Sequence, residues 1–210
     1  MDIGVPLKTY GLVDIEPLRE AMEKLPYSYW ESDRDSRVSL AGDRPGNAVF
    51  LYNDKPANVM RKTLFEARSG YVNVMRYADR PLIDLVDDII EKYIQPEFPN
   101  CDPMRVQLAE LPPGQVITPH RDMGILAAIH RTHVPIVTDP GVKFIIQRQA
   151  YFLEPGRLYD LNNVVVHSVE NQSDVMRVHL MVDMLPHSIA RCRYHETEAA
   201  MLEAAVPVSA

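Results

Sequence analysis

The sequence is poor in cysteine and contains no long apolar run, and both features restrict the class of protein. Only two cysteines, Cys101 and Cys192, occur among its 210 residues, and they lie far apart in the chain. So few cysteines favour free thiols in a reducing compartment over a disulfide framework. No stretch approaches the roughly 18 consecutive apolar residues of a transmembrane helix. We therefore expect no membrane partner.

The sequence also lacks a concentration of positive charge. Its net charge is −7 at pH 7, and its lysines and arginines are scattered along the chain. A nucleic-acid partner requires a basic patch or stripe, so we expect none. The N-terminal residues MDIGVPLKTY have neither the basic segment nor the apolar run of a secretory signal. These features predict a cytoplasmic protein.

The composition is that of a folded domain. Hydrophobic residues make up 46% and charged residues 24% of the chain, which argues against disorder. The length suits a single domain over residues 1–210. Its first part, residues 1–100, mixes helix and loop. Apolar spacing and a capping Asp predict a helix at 14–25, a second amphipathic helix is predicted at 82–94, and polar, Gly/Pro-punctuated residues predict a loop at 31–47.

After residue 100 the pattern changes to short β-branched or alternating runs. Examples are RVQLAEL, THVPIV, VKFIIQ and VMRVHLMVDM, which are separated by turn residues. Many short strands with turn signals between them predict an all-β sandwich or barrel. We place this β core at residues 101–186 and expect a closing helix and tail at 187–210.

Two histidines and an aspartate in the β core are candidate metal ligands. His120 and Asp122 form an H-x-D pair at the end of a predicted strand, where side chains can face a cavity. His167 lies in NNVVVHSVEN, whose valines predict a strand that is apolar on both faces. A buried neutral histidine requires a hydrogen-bond partner or a metal. Together these residues match the facial triad of non-haem Fe(II) sites, which leaves coordination positions open.

Arg177 lies on a strand that alternates cleanly. In VMRVHLMVDM, Val178, Leu180 and Val182 share one face, and Arg177 falls on the other. A guanidinium inside a buried strand is costly unless an anion meets it. One possible partner is a structural carboxylate of the protein. Beside a metal site, the other is a bound dicarboxylate, of which one carboxylate group accepts hydrogen bonds through both of its oxygens.

Arg131 and His133 add two polar side chains to the same region. They are two positions apart in IHRTHVPI, so in a strand both point to the same side. We expect them to line a pocket together with the metal ligands, inside an apolar shell. His130 then points away from that pocket.

Three stretches resemble one known family: RVQLAELPPGQVITPHRD, IHRTHVPI and YDLNNVVVHSVENQSDVMRVHLMVDM. Between residues 105 and 186 they are similar to the aspartyl/asparaginyl β-hydroxylase family of Fe(II)/2-oxoglutarate-dependent oxygenases. The resemblance implies a double-stranded β-helix core (jelly-roll, cupin-like) with a helical N-terminal part. It also implies that His120, Asp122 and His167 hold Fe(II), and that the reaction consumes 2-oxoglutarate and O2.

The resemblance implies roles for the remaining candidates as well. Arg177 would bind a carboxylate of 2-oxoglutarate, and Arg131 and His133 would contact the co-substrate or the substrate. Animal members carry a serine for 2-oxoglutarate near the position of Ala109. Gln107, on the same strand face, is therefore expected to assist Arg177 here.

Asp122 separates this chain from the animal peptide-hydroxylating members, which lack the carboxylate ligand. It makes the chain similar to the bacterial branch, which includes enzymes that act on free amino acids such as proline. The implied activity is hydroxylation of an unactivated C–H bond of an amino acid, free or within a peptide, or of a related small metabolite. Succinate and CO2 would be released, and the expected partner is a small-molecule or peptide substrate.

Three alternatives stay open from the residues alone. A jelly roll can also serve as a non-catalytic, metal-binding sensor or ligand-binding protein, although a sensor needs no 2-oxo acid. Cys192 and His195 offer two ligands for a structural zinc site, which are too few by themselves. The arginines of loop 31–47 and Arg148 either recognise a substrate carboxylate or form solvated surface.

Overall fold

The fold is mainly β. The computed structural model describes residues 1–30, 48–53, 65–66, 74–76 and 80–189. Within these ranges the strands form two antiparallel sheets, one of eight strands and one of four.

Each sheet draws strands from distant parts of the chain. The larger sheet contains β1 (Leu7–Leu12), β2 (Ala48–Asn53), β3 (Phe65–Glu66), β4 (Val74–Arg76), β5 (Cys101–Leu111), β7 (His130–Val137), β10 (Arg157–Leu161) and β12 (Arg177–Pro186). The smaller sheet contains β6 (Val116–His120), β8 (Val142–Ile146), β9 (Gln149–Tyr151) and β11 (His167–Asn171). Their orders are β1-β10-β7-β12-β5-β2-β4-β3 and β6-β11-β8-β9.

From β5 onwards the chain follows the path of a jelly roll. It crosses between the sheets at almost every connection, and only the β8–β9 hairpin stays within one sheet. Strands β5 to β12 thus supply four strands to each sheet, as in an eight-stranded double-sheet jelly roll. This arrangement confirms the prediction of a mainly β, jelly-roll fold with a helical N-terminal part.

The N-terminal part also contributes strands, which corrects its interpretation as helix and loop. β1 pairs with β10 at one edge of the larger sheet, and β2 pairs with β5 on the other side. β1 was not predicted because its residues, LKTYGL, do not alternate between buried and exposed positions. Strand prediction from sequence relies on that alternation. β3 and β4 are only 2 and 3 residues long, too short for a periodic signal.

Helices cover one face of the larger sheet. The segments are α1 (Glu16–Met22), α2 (Ile83–Ile89), a π-helical continuation (Ile90–Ile94), and short 3-10 turns at Tyr27–Tyr29, Gln95–Glu97 and Gly124–Ala128. Both predicted helices are therefore present, although each α-helical segment is shorter than predicted. The apolar side chains of α1, α2 and the π-helical continuation pack with even-numbered sheet residues such as Val106, Val134 and Leu180 into the main core. The turn at Gly124–Ala128 packs in a separate small cluster.

The setting of His167 differs from the prediction. His167 is the first residue of β11 and is buried, but the preceding valines do not belong to the strand. Residues 162–166 instead connect β10 to β11, and Val166 is 41% exposed. The prediction of a strand through these valines was therefore wrong. β-Branched residues favour strands only weakly, and here they lie in a short connection between two strands.

Several predictions concern residues outside the described ranges. They are loop 31–47, most of the closing helix and tail at 187–210, and the zinc pair Cys192 and His195. The extent of the single domain, 1–210, also stays a prediction. None of the described helices is long and apolar enough to span a membrane.

The described cysteine, Cys101, is buried in the main core and forms no disulfide with any other described residue. Burial raises the pKa of this thiol to about 11, so it stays protonated and unreactive at neutral pH.

Two buried histidines lie between the sheets. His179 of β12 stacks on Phe144 of β8 with ring centroids 5.3 Å apart and planes 8° apart. Its Nδ1 lies 3.4 Å from Nδ1 of His133 on β7, so one nitrogen donates a hydrogen bond and the other accepts it. Burial, reinforced by the positive charge of Arg177, lowers the pKa of both imidazoles well below the ordinary histidine value.

The main core accounts for most of the stability, so we expect a large effect from Leu180→Ala. Leu180 is 0% exposed in the centre of β12, and such a truncation lowers the free energy of unfolding by about 2–5 kcal/mol. Leu12→Ala is the control, because Leu12 is 66% exposed at the end of β1. Its effect should stay within about 0.5 kcal/mol in urea denaturation. Equal losses in the two variants would contradict this assignment of the core.

The buried histidines predict a stability loss in acid. Below about pH 6.5 an unfolded histidine takes up a proton, whereas His133 and His179 stay neutral in the folded protein. The free energy of unfolding therefore falls as the pH drops through this range. His179→Phe removes one of these groups and keeps an aromatic ring against Phe144. Urea denaturation from pH 7.5 to 5 should show a shallower loss for this variant, and an unchanged slope would refute the prediction.

Candidate metal centre and co-substrate cavity

The jelly roll brings the three predicted metal ligands together. His120 ends β6 and His167 begins β11, and the two residues are direct partners in the antiparallel register. Their rings lie 4.3 Å apart between centroids. Asp122 follows His120 immediately after the strand. One ligand atom from each of the three residues lies within 4.8 Å of the other two, the only such group found in the described part of the chain.

Hydrogen bonds prepare both histidines to bind a metal through the same ring nitrogen. Nδ1 of His120 lies 2.8 Å from the carbonyl of Thr118, and Nδ1 of His167 lies 3.0 Å from the carbonyl of Val165. Because a carbonyl only accepts, each Nδ1 carries the proton and donates it. The lone pair of each imidazole is therefore on Nε2, which is the arrangement of metal-ligating histidines with a backbone partner.

Asp122 is fixed at both its backbone and its side chain. Its N–H donates to the carbonyl of Asn163 at 2.9 Å, which ties the residue to the connection before His167. Its carboxylate is buried, and Oδ2 accepts a hydrogen bond from Nη1 of Arg131 at 2.7 Å. The ligand set of two neutral imidazoles and one carboxylate thus suits a divalent cation such as Fe(II).

A single cavity between the two sheets contains the candidate site. Its volume is about 200 Å³. All seven residues predicted for the site line it, namely Gln107, His120, Asp122, Arg131, His133, His167 and Arg177. Apolar residues of both sheets, including Ile117, Phe144 and Val169, complete the wall. The structure therefore brings together every predicted site residue, whatever the role of each.

The cavity contains buried polar groups suited to an anionic ligand. Arg177 is 2% exposed and reaches the cavity from β12. His133 is 3% exposed, and its Nε2 has no hydrogen-bond partner among the described residues. A buried, unsatisfied ring nitrogen is unfavourable unless a ligand meets it. The site thus offers a fixed cation and an available imidazole nitrogen next to the candidate metal ligands.

Arg131 differs from its expected role in one respect. It lines the cavity, but its guanidinium is already engaged by protein carboxylates. Nε and Nη2 donate to the two oxygens of Asp183, each at 2.9 Å, and Nη1 donates to Asp122. Asp183 was not predicted as a site residue. The sequence did contain a signal, since Asp183 continues the alternation that puts Arg177 on the inward face of β12. In the structure Asp183 is 2% exposed.

Other residues of the site were missed or misjudged from the sequence. Arg105 of β5 lines the cavity, and no motif in the sequence pointed to it. His179, which shares the strand face of Arg177, was not selected from the sequence, and its contact with His133 appears only in the structure. Arg148, considered for substrate recognition, is exposed in the β8–β9 turn at a φ of 70° and does not line the cavity.

Solved structures provide comparisons for the fold. An oxidoreductase of the 2OG-Fe(II) oxygenase family from Burkholderia pseudomallei is similar with a TM-score of 0.49 and 11% identity, covering 84% of this chain and 93% of that one. A Pseudomonas putida prolyl-4-hydroxylase gives 0.46 and 13%, covering 86% and 92%. A cupin domain from Bordetella pertussis gives 0.32 and 22%, covering 40% and 93%.

Sequence comparison identifies the family. No curated protein matches this chain at a significant level. Residues 84–186, however, match the family model described as Aspartyl/Asparaginyl beta-hydroxylase. The matched region contains the three candidate metal ligands, Arg177 and the strands that carry them. Residues 84–186 are therefore a domain of the aspartyl/asparaginyl β-hydroxylase family, and the protein is an oxygenase.

Proposed function

We propose that this protein is an Fe(II)- and 2-oxoglutarate-dependent dioxygenase that hydroxylates an unactivated C–H bond of an amino acid or a related small metabolite. The observation that carries the proposal is the arrangement of His120, Asp122 and His167 within 4.8 Å of one another at a cavity that also contains Arg177. Two imidazoles and one carboxylate leave coordination positions open, as an oxygenase requires.

The residues present fit both iron and a 2-oxo acid. His120 and His167 would bind Fe(II) through Nε2, since each Nδ1 donates to a backbone carbonyl. Asp122 would supply the carboxylate ligand. When bound, Fe(II) supplies the activation of O2: one oxygen atom enters the substrate C–H bond, the other enters succinate, and 2-oxoglutarate loses CO2.

The other cavity residues would hold the co-substrate. Arg177 would pair with the carboxylate farther from the metal, because a buried guanidinium binds a carboxylate through two parallel hydrogen bonds. Gln107 lies on the neighbouring strand and lines the same cavity. The Nε2 of His133 faces no protein partner among the described residues, which supports a contact with the carboxylate nearer the metal.

The cavity favours a small substrate group. Its volume of about 200 Å³ lies below the roughly 300–1,000 Å³ of typical small-molecule sites. With 2-oxoglutarate inside, the remaining space suits an amino-acid side chain, either of a free amino acid or of a peptide whose backbone stays outside. Apolar walls from Phe50, Ile117 and Leu126 suit the hydrocarbon part that is hydroxylated.

Removal of the carboxylate ligand should abolish activity. We expect Asp122→Ala to lower substrate-dependent turnover of 2-oxoglutarate by at least about 100-fold, since changes to residues that only support metal ligands already cost 10–100-fold. Succinate formation with a panel of amino acids and short peptides measures this effect. Asp174→Ala is the matched control, because Asp174 is exposed and does not line the cavity. Equal activity in the two variants would remove Asp122 from the ligand set.

Arg177→Met should separate co-substrate binding from metal binding. The variant keeps the apolar stem and removes the charge, so we expect 2-oxoglutarate to bind the Mn(II)-loaded protein about 30-fold or more weakly, as for the loss of a buried charge partner. Calorimetric titrations with Mn(II) and then 2-oxoglutarate measure both constants. Unchanged 2-oxoglutarate affinity would contradict the role of Arg177. Metal binding with no 2-oxoglutarate binding in the unmodified protein would favour a non-catalytic ligand-binding protein.

A further inference from the structure

A buried chain of charges connects the candidate metal ligand to the larger sheet. Asp183 of β12 lies directly opposite Arg131 of β7 and, on its other side, opposite Arg105 of β5 in the register. Arg131 donates two hydrogen bonds to Asp183 and a third to Asp122. The side chains of Arg131, Asp183 and Asp122 are only 9%, 3% and 5% exposed, respectively.

The geometry fixes the orientation of Arg131. Two parallel hydrogen bonds to Asp183, each 2.9 Å long, hold the planar guanidinium at its Nε edge. Nη1, at the other end of the guanidinium, then has a defined direction and meets Oδ2 of Asp122 at 2.7 Å. Burial alone lowers the pKa of Arg131, but its two carboxylate partners raise it overall, so the cation persists at every physiological pH.

This contact matters because a carboxylate can bind a metal through one oxygen or through both. With Oδ2 held by Arg131, Asp122 offers Oδ1 to a cation. A two-oxygen carboxylate would occupy one more coordination position. That position is required at an oxygenase site, where a chelating 2-oxo acid and O2 must bind beside the three protein ligands.

We propose that Arg131, oriented by Asp183, is a positioning residue that keeps Asp122 a one-oxygen metal ligand and so keeps a coordination position open. This inference rests on the proposed metal site and assigns Arg131 a role different from direct contact with 2-oxoglutarate. Asp183 occupies one of the two guanidinium edges that can bind a carboxylate through two hydrogen bonds, and Nη1 of the other edge already donates to Asp122. His133 and Arg177 then remain as the cavity groups that meet the co-substrate.

The number of water molecules on bound Mn(II) tests this proposal without any turnover. Water-proton relaxation of the Mn(II)-loaded, full-length protein reports that number in the absence of 2-oxoglutarate. In Arg131→Met we expect Mn(II) to bind still, with about one water fewer, because the freed Oδ2 of Asp122 takes that position. We also expect 2-oxoglutarate to bind at least about tenfold more weakly, as for other residues that support metal ligands.

Two further variants separate the possible roles of Arg131. Asp183→Asn keeps the shape of the side chain that orients Arg131 and removes its charge. We therefore expect a smaller loss of Mn(II)-bound water and a smaller loss of 2-oxoglutarate affinity than in Arg131→Met. Arg177→Met is the matched control: it loses affinity for 2-oxoglutarate while the Mn(II)-bound water number stays that of the unmodified protein. Circular dichroism confirms that each variant is folded, and Asp183→Asn provides the test if Arg131→Met does not fold.

The outcomes distinguish this inference from the proposed function. If Arg131→Met behaves like Arg177→Met, with weaker 2-oxoglutarate binding and an unchanged water number, Arg131 contacts the co-substrate and the inference is wrong. If both quantities stay unchanged in Arg131→Met, or in Asp183→Asn when that variant replaces it, the charge chain is merely structural and the inference is again wrong. Failure of the unmodified protein to bind Mn(II) at all would refute the metal site itself.

Discussion

The pairing of buried charges on Arg131 is the constraint on which the site depends. A guanidinium between two sheets is strongly unfavourable unless carboxylates surround it. Asp183 and Asp122 meet this requirement together, and by doing so they connect β12, β7 and the end of β6. These ion pairs compensate the buried charge of Arg131, and they also hold Asp122, the candidate carboxylate ligand, beside His120 and His167.

Strand alternation separates stability from chemistry within the larger sheet. Even-numbered residues of β12, such as Leu180, pack with the helices in the main core. Odd-numbered residues of the same strand are buried on the other face: Arg177 lines the cavity, His179 stacks on Phe144 of the smaller sheet, and Asp183 holds Arg131. Since successive side chains point to opposite faces, one strand supplies both the core and the polar wall of the cavity. Helices α1 and α2 pack against the other face of this sheet, in the main core.

The sequence carried enough information for the fold class and the candidate ligands. H-x-D after a strand, a second histidine and an inward arginine at alternating positions are local patterns, and all of these residues line one cavity. The resemblance over residues 105–186 coincides with most of the matched family region. Local patterns failed where the neighbours decide the structure, as for the edge strand β1 and the turn before His167.

The role of Arg131 could not be derived from the sequence. Its partner Asp183 lies 52 positions away, and only the β7–β12 register makes the two direct neighbours. A shift of the register by one residue would place them on opposite faces. Similarly, which cavity residues face the substrate depends on how the two sheets approach each other, which no short motif encodes.

Anaerobic addition of 2-oxoglutarate to the Fe(II)-loaded protein is the most direct test of the central claim, that the His120, Asp122 and His167 site binds iron and admits a chelating 2-oxo acid. Chelation of Fe(II) by a 2-oxo acid produces a visible charge-transfer absorption band. The band should appear in the unmodified protein and weaken in His167→Ala. Iron binding without the band would contradict the co-substrate assignment, and an equally strong band in His167→Ala would contradict the ligand set.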